Sequence, residues 1–161
     1  MSEVYRPNAA VIVTDGKGRV LLCQRIEDTL KQHWQVVQGG IDEGETARQA
    51  AERELQEELG IAPDSFQILA ESREVYRYTW TPEYLASLPP RPISEQYVGQ
   101  EQRYFLAQYT GDLADLDLDA HGREFAEVRW GTPQELVDGA WEGKRPGILA
   151  ALTEFGLLAA E

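Results

Sequence analysis

The sequence predicts an α/β protein in which helices pack on a mixed β-sheet. Short segments of alternating apolar and polar residues indicate strands, one central segment has the periodicity of a helix, and two short helical segments lie near the C-terminus. We find no internal repeat and no linker. A chain of 161 residues has the length of one compact domain, so we expect a single domain over residues 1–161.

The first predicted element is a β-hairpin. Residues 9–14 and 20–24 have the pattern of strands, and the glycines in residues 15–18 allow the positive φ angles of a tight turn. A short apolar segment follows at residues 34–37 and ends at Gln38-Gly39-Gly40, after which we expect an acidic loop over residues 41–45.

The best-defined helix is predicted over residues 46–59. Thr46 and Gln49 have the spacing of a capping box, and Gly60 provides a C-terminal stop. Apolar residues recur between them at helical spacing, at Ala47, Ala51, Leu55 and Leu59.

The second half of the chain returns to strands and ends in helices. We predict strands at residues 66–70, 73–80, 103–109 and 127–130. Residues 81–100 contain four prolines and should form a long loop, and residues 112–119 should form an acidic, solvated connector. Short helices are expected after Pro133 and Pro146, the last with an apolar face of Ile148, Leu149, Leu152 and Phe155.

Composition excludes several classes of protein. A net charge of −13 would repel an extended nucleic acid from most of the surface. No apolar segment approaches the length of a membrane span, and the N-terminus does not resemble a signal peptide, so we expect a cytoplasmic protein. Cys23 is the only cysteine, which excludes an internal disulfide and a site of several thiolates.

Three carboxylates on the predicted helix are the strongest candidate for chemistry. Glu54, Glu57 and Glu58 are spaced i, i+3 and i+4, so they share one face. They could be a solvated charged surface or a cation site. The same face continues toward the N-terminus as Ala47, Ala50 and Ala51, which favours a face turned toward protein or ligand. An all-carboxylate site suits Mg²⁺ or Mn²⁺.

The surroundings of these glutamates resemble a known family. Residues 39–61 fit the pattern G-x5-E-x7-R-E-U-x-E-E-x-G-U, in which U is a bulky aliphatic residue, and this is similar to the signature of the Nudix hydrolases. All nine specified positions match, namely Gly39, Glu45, Arg53, Glu54, Leu55, Glu57, Glu58, Gly60 and Ile61.

The resemblance implies a Nudix-type α/β/α sandwich with a catalytic strand–loop–helix, and hydrolysis of a nucleoside diphosphate linked to another group. It implies metal-binding and base roles for Glu54, Glu57 and Glu58, and a structural and electrostatic role in catalysis for Arg53 with Glu45. The Gly39 carbonyl is an expected further metal ligand. Of the other glycines, Gly40 should let the backbone of this turn approach the metal closely, and Gly60 should end the helix.

Segments outside this motif resemble one branch of the family, which contains bacterial RNA pyrophosphohydrolases and asymmetric dinucleoside tetraphosphate hydrolases. They are residues 5–8, 34–42 and 99–106. The resemblance implies that Arg6 and Arg25 reach substrate phosphates. It makes Gln38, Gln100 and Gln102 candidates for substrate contact. Tyr78 is a further candidate because it could stack on a base, although an aromatic residue in an alternating strand is at least as often part of the core.

The chain departs from the branch at two places. Val37 stands where the branch usually has proline, which puts the local turn in doubt. Residues 123–127 resemble the acidic loop of the branch only around Glu124, which is a candidate for an extra metal ligand. His33 and His121 are isolated, and we assign neither a catalytic role.

The expected substrate is an RNA 5′-triphosphate end or a dinucleoside polyphosphate such as diadenosine tetraphosphate. A (d)NTP or sugar-nucleotide pyrophosphatase is an alternative. A Nudix-fold binding module without turnover is another, although such modules usually lose motif glutamates and this chain retains them. We expect a nucleotide polyphosphate or RNA end as partner, with no membrane and no extended nucleic-acid surface, and leave the oligomeric state open.

Overall fold

The computed structural model of the protein describes residues 4–26, 34–86, 97–119, 122 and 125–159. Its strands are β1 (Tyr5–Thr14), β2 (Val20–Arg25), β3 (Val37–Gly40), β4 (Phe66–Thr79), β5 (Gly99–Tyr109) and β6 (Phe125–Gly131). Its α-helices are α1 (Ala47–Leu59), α2 (Pro82–Ala86), α3 (Pro133–Gly139) and α4 (Arg145–Glu154). Single 3₁₀ turns lie at Pro63–Ser65, Leu113–Asp115 and Glu142–Lys144.

The strands form one mixed sheet in the order β4-β5-β1-β2-β6, with β3 also paired to β1. Strands β1 and β5 are parallel from Tyr5 opposite Gly99 to Thr14 opposite Gln108, and the other pairs are antiparallel. Strand β1 therefore lies at the centre of the sheet, and its alternate residues are buried on both faces.

Helices cover both faces of this sheet. On one face, α1 packs its buried Ala50, Ala51, Leu55 and Leu59 against the odd-numbered residues Ala9, Val11 and Val13 of β1. On the other face, α3 and α4 contribute Leu136, Ile148 and Leu152 to a core with Ala10 and Ile12. The predicted α/β/α sandwich with a mixed sheet is confirmed.

The hairpin and the central helix form as the local sequence predicts. Strands β1 and β2 pair antiparallel with Thr14 opposite Val20. Helix α1 begins after Thr46, which forms the capping box with Gln49, and ends at Gly60, whose φ of 65° is left-handed. These elements depend on short-range signals, which explains why the sequence alone predicts them.

Two strands differ from the prediction. Gln38-Gly39-Gly40 was expected to end a strand but belongs to β3, because these residues pair with Asn8–Ala10 of β1. The two strands predicted over residues 66–80 are one strand, β4, whose register against β5 shifts between Glu71 and Val75. Ser72 fills this bulge: its Oγ donates to the Glu74 carbonyl and accepts from the Tyr104 amide.

The two predicted loops are also more structured than expected. Within residues 81–100, α2 is helical and Gly99 already belongs to β5, while residues 87–96 lie outside the described part. In the acidic connector, Leu113, Leu116 and Leu118 are partly buried against the core beside α1, so the segment is only half solvated. Within the described residues, the helices are too short or too polar to cross a bilayer.

Candidate active site

A polar cavity of about 150 Å³ lies between the C-terminal half of α1 and strands β1 to β3. Residues from six segments meet there, because β3 pairs with the N-terminal half of β1 and α1 contacts both strands. The lining residues are Arg6, Asn8, Arg25, Gln35, Gln38, Gly39, Gly40, Glu54, Glu58 and Gln100.

Two buried carboxylates form the acidic wall of this cavity. Glu54 is 8% exposed and Glu58 is 4% exposed, although both are ionisable. Burial raises the pKa of Glu54 above its usual value, against a hydrogen bond with Glu58 and the positive charge of Arg53. Two neighbouring buried carboxylates repel each other when both are ionised, so this wall is suited to a positively charged partner.

Gly39 is required where β3 passes α1. A Cβ atom at this position would overlap the Glu54 carboxylate, so only glycine lets the strand backbone lie against it. At the next residue, Gly40, a Cβ atom would overlap the positively charged guanidinium of Arg6. Two adjacent glycines thus bring an acidic and a basic side chain against one short strand.

Arg53 connects the acidic loop, β3 and α1. Its guanidinium donates to both carboxylate oxygens of Glu45 at 2.9 Å and to the Gly40 carbonyl at 2.9 Å. It also donates to Glu54 Oε1 at 2.8 Å and to Glu57 Oε2 at 3.3 Å. These bonds connect the loop and the strand to the helix.

The three motif glutamates are not equivalent. Glu54 and Glu58 line the cavity, whereas the Glu57 side chain is 42% exposed and lies against Arg53 at the rim. In the described part of the chain, no three acidic, histidine or cysteine side chains form a metal site by themselves. A cation here would therefore require backbone or substrate oxygens as additional ligands.

Basic and amide groups form another part of the wall. Arg6 and Arg25 supply guanidinium groups, and Asn8, Gln38 and Gln100 supply carboxamides. Acidic and basic groups thus face one small cavity, an arrangement suited to a cation together with the phosphates it would bind.

The match to a family model agrees with this geometry. The model described as the NUDIX domain matches residues 4–152, which is most of the chain and includes every cavity residue named above. The chain belongs to the Nudix family of hydrolases.

Curated relatives of this Nudix chain cover almost its whole length. It is 42% identical over 152 residues to an RNA pyrophosphohydrolase of Novosphingobium aromaticivorans, covering 94% of this chain and 92% of that protein. It is 35% identical to Nudix hydrolase 26, chloroplastic, of Arabidopsis thaliana, covering 95% of this chain and 70% of that protein.

Solved structures show the same fold. The E. coli dihydroneopterin triphosphate pyrophosphohydrolase matches with a TM-score of 0.68 and 21% identity, covering 94% of this chain and 99% of that chain. A C. elegans Ap4A hydrolase binary complex matches with a TM-score of 0.64 and 22% identity, covering 93% of this chain and 96% of that chain.

Not every residue predicted to contact substrate lies at the Nudix cavity. Arg6, Arg25, Gln38 and Gln100 line it, but Tyr78 and Gln102 do not. Tyr78 is 7% exposed; its ring contacts Trp141 edge-on, and Lys144 Nζ lies 5.6 Å from its centre. Burial raises the pKa of Tyr78 to about 12, and Lys144 opposes that shift.

Gln102 is 2% exposed and its carboxamide bonds to Asn8, Gln38 and Tyr104, so any role it has in binding is indirect. Glu124 lies outside the described residues. Sequence reasoning missed Asn8 and Gln35 as cavity residues. For Asn8, the signal was a polar residue directly before the apolar residues 9–13 of β1.

The chemistry of the donor set fits a hard divalent cation. Glu54 and Glu58 offer buried carboxylate oxygens, and the missing Cβ of Gly39 brings a strand backbone against them. Carboxylate and carbonyl oxygens are the ligands that Mg²⁺ and Mn²⁺ prefer. The residues present therefore fit the metal dependence general to Nudix hydrolases.

Proposed function

We propose that this Nudix pyrophosphohydrolase cleaves a phosphoanhydride bond in a chain of at least three phosphates, with the 5′-triphosphate end of RNA as its substrate. The cavity carries the proposal, because buried Glu54 and Glu58 and the side chains of Arg6 and Arg25 line it together. Relatives 35–42% identical over most of the chain, named RNA pyrophosphohydrolase, support the RNA end.

Each group of residues has a distinct task in this proposal. Glu54, Glu57, Glu58 and the Gly39 carbonyl would hold Mg²⁺ or Mn²⁺, and one of the three carboxylates would take the proton of the attacking water. The cation would supply charge neutralisation at the phosphate oxygens and activation of that water. Arg53 holds the loop and helix in place and places positive charge beside Glu54 and Glu57.

Arg6 and Arg25 would bind the phosphates beyond those held at the acidic wall. A planar guanidinium donates two parallel hydrogen bonds to a phosphate, which both orients and binds it. These arginines stand in a protein of net charge −13, so they form a local positive site on an acidic molecule. An RNA chain can enter such a site only by its end.

A dinucleoside polyphosphate is the second candidate substrate. The net charge of −13 favours it, because a small nucleotide meets less of the acidic surface than an RNA chain does. Both substrates would place a polyphosphate in the same cavity.

A substrate panel with product analysis tests the proposal. The panel contains 5′-triphosphate RNA, diadenosine tetraphosphate, dNTPs, ADP-ribose and a sugar nucleotide, each with Mg²⁺, with Mn²⁺ and with excess EDTA. We expect the first two to give the highest kcat/KM and EDTA to abolish turnover. Preference for ADP-ribose or a sugar nucleotide would overturn the substrate proposal, and full turnover in EDTA would overturn the metal proposal.

A further inference from the structure

A row of buried polar side chains ends at two amides of the cavity wall. Tyr104 OH donates to Gln102 Oε1 at 3.0 Å. Gln102 Nε2 in turn donates to Asn8 Oδ1 at 3.1 Å and to Gln38 Oε1. Tyr104, Gln102 and Asn8 are at most 2% exposed, so these bonds form away from bulk water.

We propose that Tyr104 and Gln102 are positioning residues that hold the Asn8 and Gln38 carboxamides with their NH₂ groups turned toward the substrate phosphates. This inference rests on the proposed function in that it takes a polyphosphate as the ligand. It adds two residues that do not touch the ligand but decide which atoms of the wall face it.

The observed orientation satisfies every polar group of the buried pair. The Tyr104 proton has an acceptor in Gln102 Oε1, and the two Gln102 N–H groups have acceptors in Asn8 and Gln38. A carboxamide has one acceptor oxygen and two N–H donors, so its capacity is used.

The reversed orientation would leave donors without acceptors. If Gln102 were turned over, its nitrogen could donate to Tyr104, but the Tyr104 proton and the second Gln102 N–H would lose the acceptors that they have in the observed orientation. Each buried unsatisfied polar group costs about 1–3 kcal/mol, so the observed orientation is strongly favoured. The Tyr104 hydroxyl is the group that creates this preference.

The orientation of Gln102 decides what the cavity offers a ligand. Since the oxygens of Asn8 and Gln38 accept from Gln102, their NH₂ groups remain for the cavity that both residues line. Phosphate oxygens accept hydrogen bonds and do not donate them when ionised, so they require donors. With the amides reversed, two carbonyl oxygens would face the phosphates instead and repel them.

A matched pair of hydroxyl deletions tests the role of Tyr104. Tyr104→Phe removes the donor to Gln102, and Tyr109→Phe removes a partly buried hydroxyl of the same strand that donates to the Asp112 carbonyl at 2.8 Å, away from the cavity. The probe is a triphosphate with methylene bridges, which cannot be hydrolysed, bound in the presence of Mg²⁺ and followed by calorimetry.

We expect Tyr104→Phe to raise the Kd of the probe about 3- to 10-fold, because only a fraction of molecules then presents the NH₂ groups. In turnover, KM should rise while kcat changes little, since the residue acts on binding. Tyr109→Phe should leave the Kd of the probe and the KM of the substrate within twofold of the values for the unmodified protein. Equal Kd values for the two variants would overturn the proposal.

Gln102→Glu provides a stronger reversal with little change of shape. The new carboxylate still accepts from Tyr104 but donates to neither neighbour. Asn8 and Gln38 must therefore turn their NH₂ groups toward this carboxylate and away from the cavity. We expect the Kd of the probe to rise at least about tenfold. Wild-type affinity in this variant would overturn the proposal.

A measurement on the unmodified protein needs no new charge and no altered core. In NMR spectra of the side-chain amides, the probe should shift the NH₂ protons of Asn8 and Gln38 and leave those of Gln102 nearly unchanged. The Asn8 and Gln38 signals are assigned by their loss in Asn8→Asp and Gln38→Glu. Unshifted Asn8 and Gln38 signals would overturn the proposal.

The outcomes separate this inference from the proposed function. A protein that binds the probe through shifted Asn8 and Gln38 amides but hydrolyses nothing in the panel would retain the positioning role and lose the proposed substrate. A protein that hydrolyses 5′-triphosphate RNA but shows no difference between Tyr104→Phe and Tyr109→Phe would retain the function and lose the positioning role.

Discussion

Arg53 and Glu45 form a two-point ion pair in which Nε donates to Oε2 and Nη2 donates to Oε1, each at 2.9 Å. The pair joins helix α1 to the end of the acidic loop, eight residues earlier in the chain. The Arg53 guanidinium lowers the pKa of Glu45 to about 2, and Glu45 raises the pKa of Arg53. Both shifts mean that the charged pair is favoured in the folded state.

The first prediction concerns stability and pH. Because the folded pKa of Glu45 lies below its ordinary value of 4.5, the pair stabilises the fold above about pH 4.5, and this stabilisation is lost as pH falls from 4.5 toward 2. Glu45→Gln should lower the free energy of unfolding by about 1–2 kcal/mol at pH 7, and the difference from wild type should shrink below pH 4.5.

Denaturant unfolding at several pH values measures this difference. Glu52→Gln is the matched control, because Glu52 pairs with Arg48 on the exposed side of the same helix. That surface pair should contribute less than about 1 kcal/mol. A Glu45→Gln effect that does not depend on pH between 7 and 2 would contradict the assignment of the stabilisation to ionised Glu45.

The second prediction concerns the motif carboxylates. Glu57→Gln and Glu58→Gln should each lower kcat by at least about 100-fold, because each removes a charge that we propose helps to hold the cation. Both variants should remain folded. In Glu58→Gln this is expected because the substitution removes one of two neighbouring buried carboxylates, which repel each other when ionised. Steady-state kinetics and thermal unfolding measure the two effects, with Glu52→Gln again as control. Near-normal rates in both variants would mean that these carboxylates are only a charged surface.

The third prediction uses the two adjacent glycines of β3. Gly39→Ala places a methyl group on the Glu54 carboxylate, and Gly40→Ala places one on the Arg6 guanidinium. Each conflict involves the end of a flexible side chain, so the fold should survive while the displaced group loses its position. We expect Gly39→Ala mainly to lower kcat and weaken Mg²⁺ binding, and Gly40→Ala mainly to raise KM. Identical kinetic effects of the two variants would contradict this separation of acidic and basic walls.

The sequence predicted the parts of this molecule that short-range signals determine. The capping box of Thr46 and the left-handed Gly60 are local, so helix α1 and the spacing of its glutamates were predictable. Pairing between strands that are distant in the sequence could not be predicted in this way. Gly39 and Gly40 form a strand only because Ala9 and Asn8 of β1 lie opposite them.

The same limit applies to the site. The i, i+3, i+4 spacing predicted a shared carboxylate face, but the structure turns Glu54 and Glu58 into the cavity and leaves Glu57 beside Arg53 at the rim. Gln102 could be recognised as a candidate by resemblance, yet its position behind Asn8 and Gln38 depends on the parallel pairing of β5 with β1. Residue types can be read from a sequence, whereas the tertiary structure is needed to show which side chains contact one another and which line the cavity.

The last prediction concerns Arg25 and the length of the phosphate chain. Arg25 lies at the end of β2 and lines the same cavity as Arg6 and the carboxylates of α1. A longer phosphate chain offers this guanidinium oxygens that the proposed cation does not engage, so its contribution to transition-state binding should increase with chain length. Arg25→Ala should therefore lower kcat/KM on diadenosine tetraphosphate by a factor that corresponds to about 1–3 kcal/mol, the scale of a lost charge-assisted hydrogen bond.

On ADP-ribose, which has two phosphates, the loss should be clearly smaller. Arg48→Ala is the matched control, because it removes the same charge from an exposed position on the helix, where Arg48 pairs with Glu52. Arg48→Ala should leave the ratio of the kcat/KM values for the two substrates unchanged. If Arg25→Ala lowered kcat/KM equally on both substrates, Arg25 would not bind the distal phosphates, and the preference for a long polyphosphate chain would need another origin.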